Sequence, residues 1–507
     1  MMKSRHFFIM ALFALMTPIL FSACKKDRKN LMETLVPGPD LNFYALTSDS
    51  KLLMINAKNP SSATSTVNIS GLQQGEMLLG IDFRPATGQL YGLGSTSRLY
   101  VIDQKTGAAR SISAAPFTTL LSGTAVGFDF NPTVDRIRVV TNNGQNLRLN
   151  PETGTVMIVD GAINGVSNAK VTSVAYTQNK AGATATVLFD IDAATDKLYK
   201  QDPPNDGKLV EVGSLGFDVE EAGGFDINSD GTAAIAALSV AGTSSLFTID
   251  TNTGKASKIG NLPANITGLA IPTEPVAYAV SNNNELLIFN PMAATPTIAV
   301  KMIAGIQTGE QILGIDFRPL NGQLYALGSS SRIYTINTSS GAATAVGIAP
   351  FSTLLSGTQF GFDFNPTVDR IRIVSNAGQN LRFNPLDGSV IADGTLNPAT
   401  TGITGAAYTN NFFGATTTVL FDIDSISDKL VKQDNPNGGL LVDVGALGVN
   451  VEASNGFDIG GTSGLAYGLF TVGTTQRVYS VNLTTGAATA GATITNASRG
   501  FALGLGF

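Results

Sequence analysis

The chain has 507 residues and a formal net charge of −6, from 32 Lys and Arg against 38 Asp and Glu, with one histidine, one cysteine and no tryptophan. An acidic chain whose only basic block is the short run at 25–29 is a poor partner for nucleic acid. Because His6 and Cys24 both lie in the first two dozen residues, the rest carries no imidazole or thiol; Ser-His-Asp and Cys-His nucleophilic systems are excluded there and zinc loses its usual ligands, leaving acid–base work to carboxylates, Tyr, Lys or Arg.

In chain order, residues 1–23 read as an export signal: a basic start at Lys3, Arg5 and His6, an apolar stretch from Phe7 to Phe21, and the small pair Ser22-Ala23. The stretch is too short to span a bilayer. Phe21-Ser22-Ala23-Cys24 resembles the lipobox of bacterial lipoproteins, in which the cysteine is lipidated and becomes the new N-terminus. Lys25 after the cysteine is similar to the outer-membrane sorting pattern, and Lys25-Lys26-Asp27-Arg28-Lys29 to the tethers of surface lipoproteins. The resemblance implies a tether over 24–40, a membrane partnership through lipidated Cys24, and an outer-membrane lipoprotein facing the periplasm or the cell surface, anchored without burying its body.

From residue 41 onward the pattern is that of strands. The chain is 43% apolar and only 14% charged, with 55 glycines, and its short alternating runs, such as Leu90 to Leu93, Arg98 to Ile102 and Arg136 to Val140, are separated by Gly, Asn, Asp and Pro. The twelve residues Gly127 to Arg138 (GFDFNPTVDRIR) recur letter for letter at Gly361 to Arg372, so a unit of roughly 230 residues, a normal domain size, is present twice, over 41–272 and 273–507. Within each unit a Gly-x-Asp position returns at Asp82, Asp129, Ala175, Asp226 and Ala270, then at Asp316, Asp363, Ala407, Asp458 and Gly506, a spacing that suits a four-stranded blade. Residues 41–72 supply three strands without a leading inner one, whereas Ile266 to Ile271 and Phe501 to Phe507 read as inner strands without the other three. The expected fold is therefore an all-β β-propeller: two tandem five-bladed rings of four-stranded blades, the first closed by 266–271 and the second by 501–507. One ten-bladed ring closed once is the alternative.

The segments LLGIDFRPATGQLYGLG (78–94), GFDFNPTVDRIRVV (127–140), NGQNLRLNPETG (143–154) and TVLFDIDAATDKLYKQDPPNDG (186–207), with twins beginning at Ile312, Gly361, Ala377 and Thr418, resemble the bacterial extracytoplasmic domain-of-unknown-function family 4394. The resemblance covers both units. It implies a propeller-like secreted domain and brings no activity with it.

Three sets of residues are candidates for chemistry. The aspartates of the Gly-x-Asp register share one position on successive inner strands and so could converge on an axis, to hold a cation or to act as paired acids, or else could accept backbone hydrogen bonds from the next blade. Asp226, Asn228 and Asp230 open like a calcium loop, although the closing position holds Ala237; a hairpin turn is the other reading, and no other cofactor is expected. The long connection Ala114 to Ala125 and its copy should emerge on one face with the neighbouring turns, presenting Arg98, Phe117, Ser122, Thr124, Gln145, Asn146 and Arg148 and their twins Arg332, Phe351, Ser356, Thr358, Gln379, Asn380 and Arg382. There Phe117 and Phe351 would be stacking platforms for a ligand, or else would plug the ring mouth. These readings point to an envelope lipoprotein that binds an extracellular glycan or protein. The alternatives are a carbohydrate hydrolase or lyase working with Asp, Arg or Tyr, and a structural envelope component.

Overall fold

The computed structural model describes residues 34–399 and 402–507; the export signal, Cys24 and the first part of the tether lie outside the described residues. Alternating apolar residues and turns rich in Gly, Asn and Asp produce forty strands, arranged as ten four-stranded antiparallel sheets. The one helix among the described residues is the single 3-10 turn Pro204–Asp206.

Strand pairing decides between one ring and two. Ile266–Ala270 joins Asn42–Thr47 as the inner strand of blade one, with Tyr44 opposite Ala270 and Ala45 opposite Leu269. Ser498–Leu503 joins Ala277–Ser281 in the same way to complete blade six, with Tyr278 opposite Ala502. Each unit is thus a closed five-bladed propeller, and closure leaves no inner ladder unpaired. The second closing strand sits four residues earlier than the spacing of the Gly-x-Asp positions suggests: Ala502, not Gly506, is the counterpart of Ala270. Residues 504–507 run on beyond the ring, where the Gly506 amide donates to the Thr87 carbonyl of the first propeller at 2.8 Å.

Both closing strands are approached at very short range by a glycine of the last blade. Gly224 has φ 150°, and a Cβ there would lie 2.3 Å from the Leu269 amide nitrogen; Gly456 has φ 149°, and its Cβ would lie 2.4 Å from that of Phe501. A side chain at either position would push the closing strand off its neighbour.

Between the blades the core is built from the inward faces of adjoining sheets. Tyr91 and Phe130 meet edge to face at 5.2 Å, and their twins Tyr325 and Phe364 at 5.1 Å. The rings also touch one another: the Tyr278 hydroxyl donates to the Ala86 carbonyl at 2.9 Å, and Arg84 Nη1 donates to the Gly322 carbonyl at 3.0 Å.

Candidate functional site

The register aspartates do converge. In each ring three carboxylates, those of Asp82, Asp129 and Asp226 in the first and of Asp316, Asp363 and Asp458 in the second, bring one oxygen apiece within 4.8 Å of one another, and all six residues are buried. They are also bonded to the inner strands. Asp82 accepts the Phe130 amide of the next blade at 2.7 Å, Asp129 the Tyr176 amide at 3.1 Å, and Asp226 the Ile271 amide at 2.6 Å; the second ring repeats these clips at Phe364, Tyr408 and Leu503. Burial raises all six carboxyls, and like-charge neighbours add to the rise in Asp82, Asp129, Asp316 and Asp363; Asp226 and Asp458 are pushed up to about 7. Where Gly314, Gly361, Gly405, Gly456 and Gly500 of the second ring's inner strands meet, the void measures about 10 Å³, too small to admit a substrate.

Asp226, Asn228 and Asp230 are not brought together. Asp226 faces the axis, whereas Asn228 accepts the Ala233 amide at 2.9 Å and Asp230 accepts the Thr232 amide at 2.9 Å and its hydroxyl at 2.6 Å, within a hairpin turn.

On the loop face the expected polar residues mostly hold the loops in place. Gln145 accepts the Ser122 amide at 3.0 Å and donates to the Leu120 carbonyl at 3.0 Å, while Thr124 exchanges hydrogen bonds with Asn142. Gln379, Ser356, Leu354, Thr358 and Asn376 repeat the arrangement. Arg98 donates to the hydroxyl of Thr96 at 2.7 Å, and Arg332 is partly buried at the matching strand start. Phe117 and Phe351 correct the expectation of stacking platforms: they are 3% and 5% exposed and pack into the cores of blades two and three and of blades seven and eight. An aromatic ring on a long connection gains more by filling the space between sheets than by standing in water.

Asn146 and Arg148 leave that face and join residues that sequence spacing did not connect to them. At the seam of blades three and four, the buried guanidinium of Arg138 donates to Asn146 at 2.7 Å, to Asp160 at 2.6 Å and to Asn205 at 2.9 Å, with its Nε 3.3 Å from the Tyr176 hydroxyl. Arg148 grips both oxygens of Asp160 at 2.7 and 2.9 Å. The second ring repeats this with Arg372, Asn380, Asp393, Asn437 and Arg382. There the seam opens as a cleft of about 230 Å³ that Arg370, Arg372, Arg382, Tyr408 and Asn437 help to line. Arg372 and Arg382 share one carboxylate, Asp393, and among the described residues Arg370 beside them donates only to the carbonyls of Val368 and Asp369, so guanidinium groups outnumber carboxylates along the cleft and it favours an anion. Asn365, Arg370 and Arg372 come from the twelve residues repeated letter for letter, the one sequence signal that could have located the cleft.

Behind each buried arginine lies a second carboxyl. Asp190 and Asp422 are fully buried, and neither oxygen of either has a hydrogen-bond partner. Burial pushes Asp422 up to about 8, only partly opposed by Arg372. An unfolded aspartate titrates near 3.9, so folding favours the protonated acid; the resulting destabilisation is absent below about pH 4, grows as pH rises through 8, and is constant above. Asp422→Asn, neutral throughout, is therefore expected to leave the melting temperature unchanged near pH 4 and to raise it at about pH 9. Equal shifts at both pH values would mean that the carboxyl does not titrate in this range.

A family model described as "Domain of unknown function (DUF4394)" matches residues 51–270 and again 285–503. No curated protein matches the chain. Among solved structures, the Dos1 propeller is similar at 9% identity over 76% of this chain and 90% of its own, with a TM-score of 0.25. A protein from Lactobacillus plantarum is similar at 13% identity over 65% of this chain and 98% of its own, with a TM-score of 0.27. At those scores the likeness adds nothing to the ring closure read from strand pairing.

Proposed function

The chain belongs to the DUF4394 family, in two tandem copies, and from that premise we propose that it is an envelope lipoprotein whose arginine-rich blade seams, one in each ring, bind an acidic extracellular glycan. One observation carries the reading: the stretch that the two copies share without a single change supplies both Arg136 and Arg138 in one ring and both Arg370 and Arg372 in the other. The hydrogen-bond network around the buried arginine is likewise reproduced partner for partner. A cleft of about 230 Å³ has room for one sugar ring, and a uronate carboxylate offers the planar oxygens that a guanidinium pairs with. The first ring carries the same arginine network at its own seam, so a polymer engaging both seams would be held at two points, which multiplies the apparent affinity. The lipid anchor at Cys24 would keep the seams at the envelope, where such polymers lie. The axis carboxylates take no part in this reading, being buried and bonded to backbone amides.

Calorimetric titration of the purified chain with polygalacturonate and with dextran tests the proposal. Binding to the acidic polymer alone is expected, weakening with salt. Arg136→Gln together with Arg370→Gln, at the partly exposed edges of the two seams, should lower affinity by about tenfold or more, and either change alone by less. Equal binding of dextran, or a double variant that binds like the parent, would sink it; preference for an acidic protein over the glycan would replace the ligand class.

A further inference from the structure

A second cleft lies between the two propellers, and its charged and aromatic residues, Arg110, Lys105, Phe412 and Phe413, are ones in which the copies differ. Arg110 stands at the start of the outer strand Ala109–Ser111 in blade two, where the twin position holds Thr344. Its guanidinium carbon sits 3.5 Å from the ring centroid of Phe413, on a turn of the second propeller. The adjoining Phe412 and Phe413 replace Lys180 and Ala181 of the first copy. Arg110 donates to the Leu320 carbonyl at 3.2 Å, and among the described residues no carboxylate lies within ion-pair distance of it. Burial without a counter-ion pushes its pKa down to about 10, and an arginine held in that way has donors to spare for an anion.

The space beside it measures about 610 Å³, within the usual range of small-molecule sites. Its walls are largely apolar, with Val101, Leu505 and the two phenylalanines, which are 40% and 43% exposed. Lys105 closes one end by donating to the Thr462 carbonyl at 2.5 Å. Two cations face a single carboxylate, Asp103, which is already accepting the amides of Lys105 and Thr106. The other crevice between the rings, about 720 Å³ and lined by Lys180 and Glu274, has no cation stacked on an aromatic ring and is lined mainly by threonine and other small side chains.

We propose that the cleft at Arg110 and Phe413 is a binding site for a small amphiphilic anion, a carboxylate joined to an apolar body. The carboxylate pairs with the free edge of the Arg110 guanidinium while the body lies along Phe412, Phe413 and Val101. The site arises from asymmetry between the copies and does not rest on the arginine-rich blade seams.

Anilinonaphthalene sulfonate supplies a fluorescent probe, titrated into the purified chain and displaced by dodecanoate or by dodecanol. One saturable site is expected, from which dodecanoate displaces the probe about tenfold more effectively than the uncharged alcohol. Arg110→Thr, which installs the residue of the twin, should weaken probe binding by about tenfold. Because that change also removes a contact between the rings, Ala108→Trp serves as a second variant: Ala108 is exposed and lines the cleft, so the indole should fill the space and abolish binding with the melting temperature kept. Dodecanol displacing the probe as well as dodecanoate, or Ala108→Trp binding like the parent, overturns the proposal.

Discussion

Removal of residues 498–507 is expected to unfold the second propeller and leave the first standing. The deleted segment is the inner strand of blade six, and five residue pairs link it to Ala277–Ser281. It also carries Phe501, Leu503 and Phe507, all buried in one cluster with Leu287, Phe289 and Leu469. Burying each large apolar side chain contributes about 1.5–3 kcal/mol, so the three together approach the 5–15 kcal/mol that holds a typical domain together. The loss does not stop at packing, because Asp458 would lose the Leu503 amide that holds its carboxylate and Ala277–Ser281 would become an open edge able to pair with another chain. The first ring keeps its own closing strand, Ile266–Ala270. Limited proteolysis of the shortened chain should therefore leave a resistant fragment ending near residue 275, whereas the parent stays whole. Equal resistance of the two chains would show that the ring does not depend on this closure. Phe501→Ala alone should cost about 3–5 kcal/mol, with the same region becoming labile.

Why closure was legible and the cleft was not follows from the range of the interactions. An inner strand missing at one place and surplus at another is visible in the order of strands, and Ile266 to Ile271 and Phe501 to Phe507 stood out for that reason. The pairing of ladders then left few choices. Its exact position was harder to read, since Gly504 to Phe507 mimic the strand pattern yet run past the ring, and only the hydrogen-bond ladder shows that Ala502 faces Tyr278. The axis aspartates were placed correctly by period alone, because a register repeated on successive inner strands must face one axis. Side chains that meet across a seam carry no such period. Arg138 finds Asn205 67 residues away, and Arg110 finds Phe413 in the other copy. Phe117 stays ambiguous in the sequence, between ligand platform and plug, for a related reason: loop residues have no alternation to say which way they point, and only the neighbouring sheet decides that this ring is buried.

The second large effect is expected at Arg84, for which the duplication supplies an internal control. Arg84 is completely buried. It donates to both oxygens of Asp135 at 2.8 and 2.5 Å, to Glu152 at 3.1 Å, and across the ring junction to the Gly322 carbonyl at 3.0 Å. Its twin Arg318 grips both oxygens of Asp369 but has Leu386 where Glu152 would be, and Asp369 is 27% exposed where Asp135 is 5% exposed. Arg84→Met would strand the buried Asp135 carboxylate and leave Glu152, whose side chain is only 16% exposed, without its cation, and breaking a buried pair in this way costs about 3–5 kcal/mol. The same change at Arg318 leaves one carboxylate that water can still reach, so its cost should be about 1–2 kcal/mol, within the range of an ordinary single substitution. Adding Asp135→Asn and Glu152→Gln to Arg84→Met should recover part of the loss, since neutral amides no longer demand a counter-charge. Denaturant unfolding of the two single variants and the triple variant measures all three. Equal costs at Arg84 and Arg318 would mean that burial does not set the difference, and no recovery in the triple variant would assign the loss to packing and the broken ring junction instead of to stranded charge.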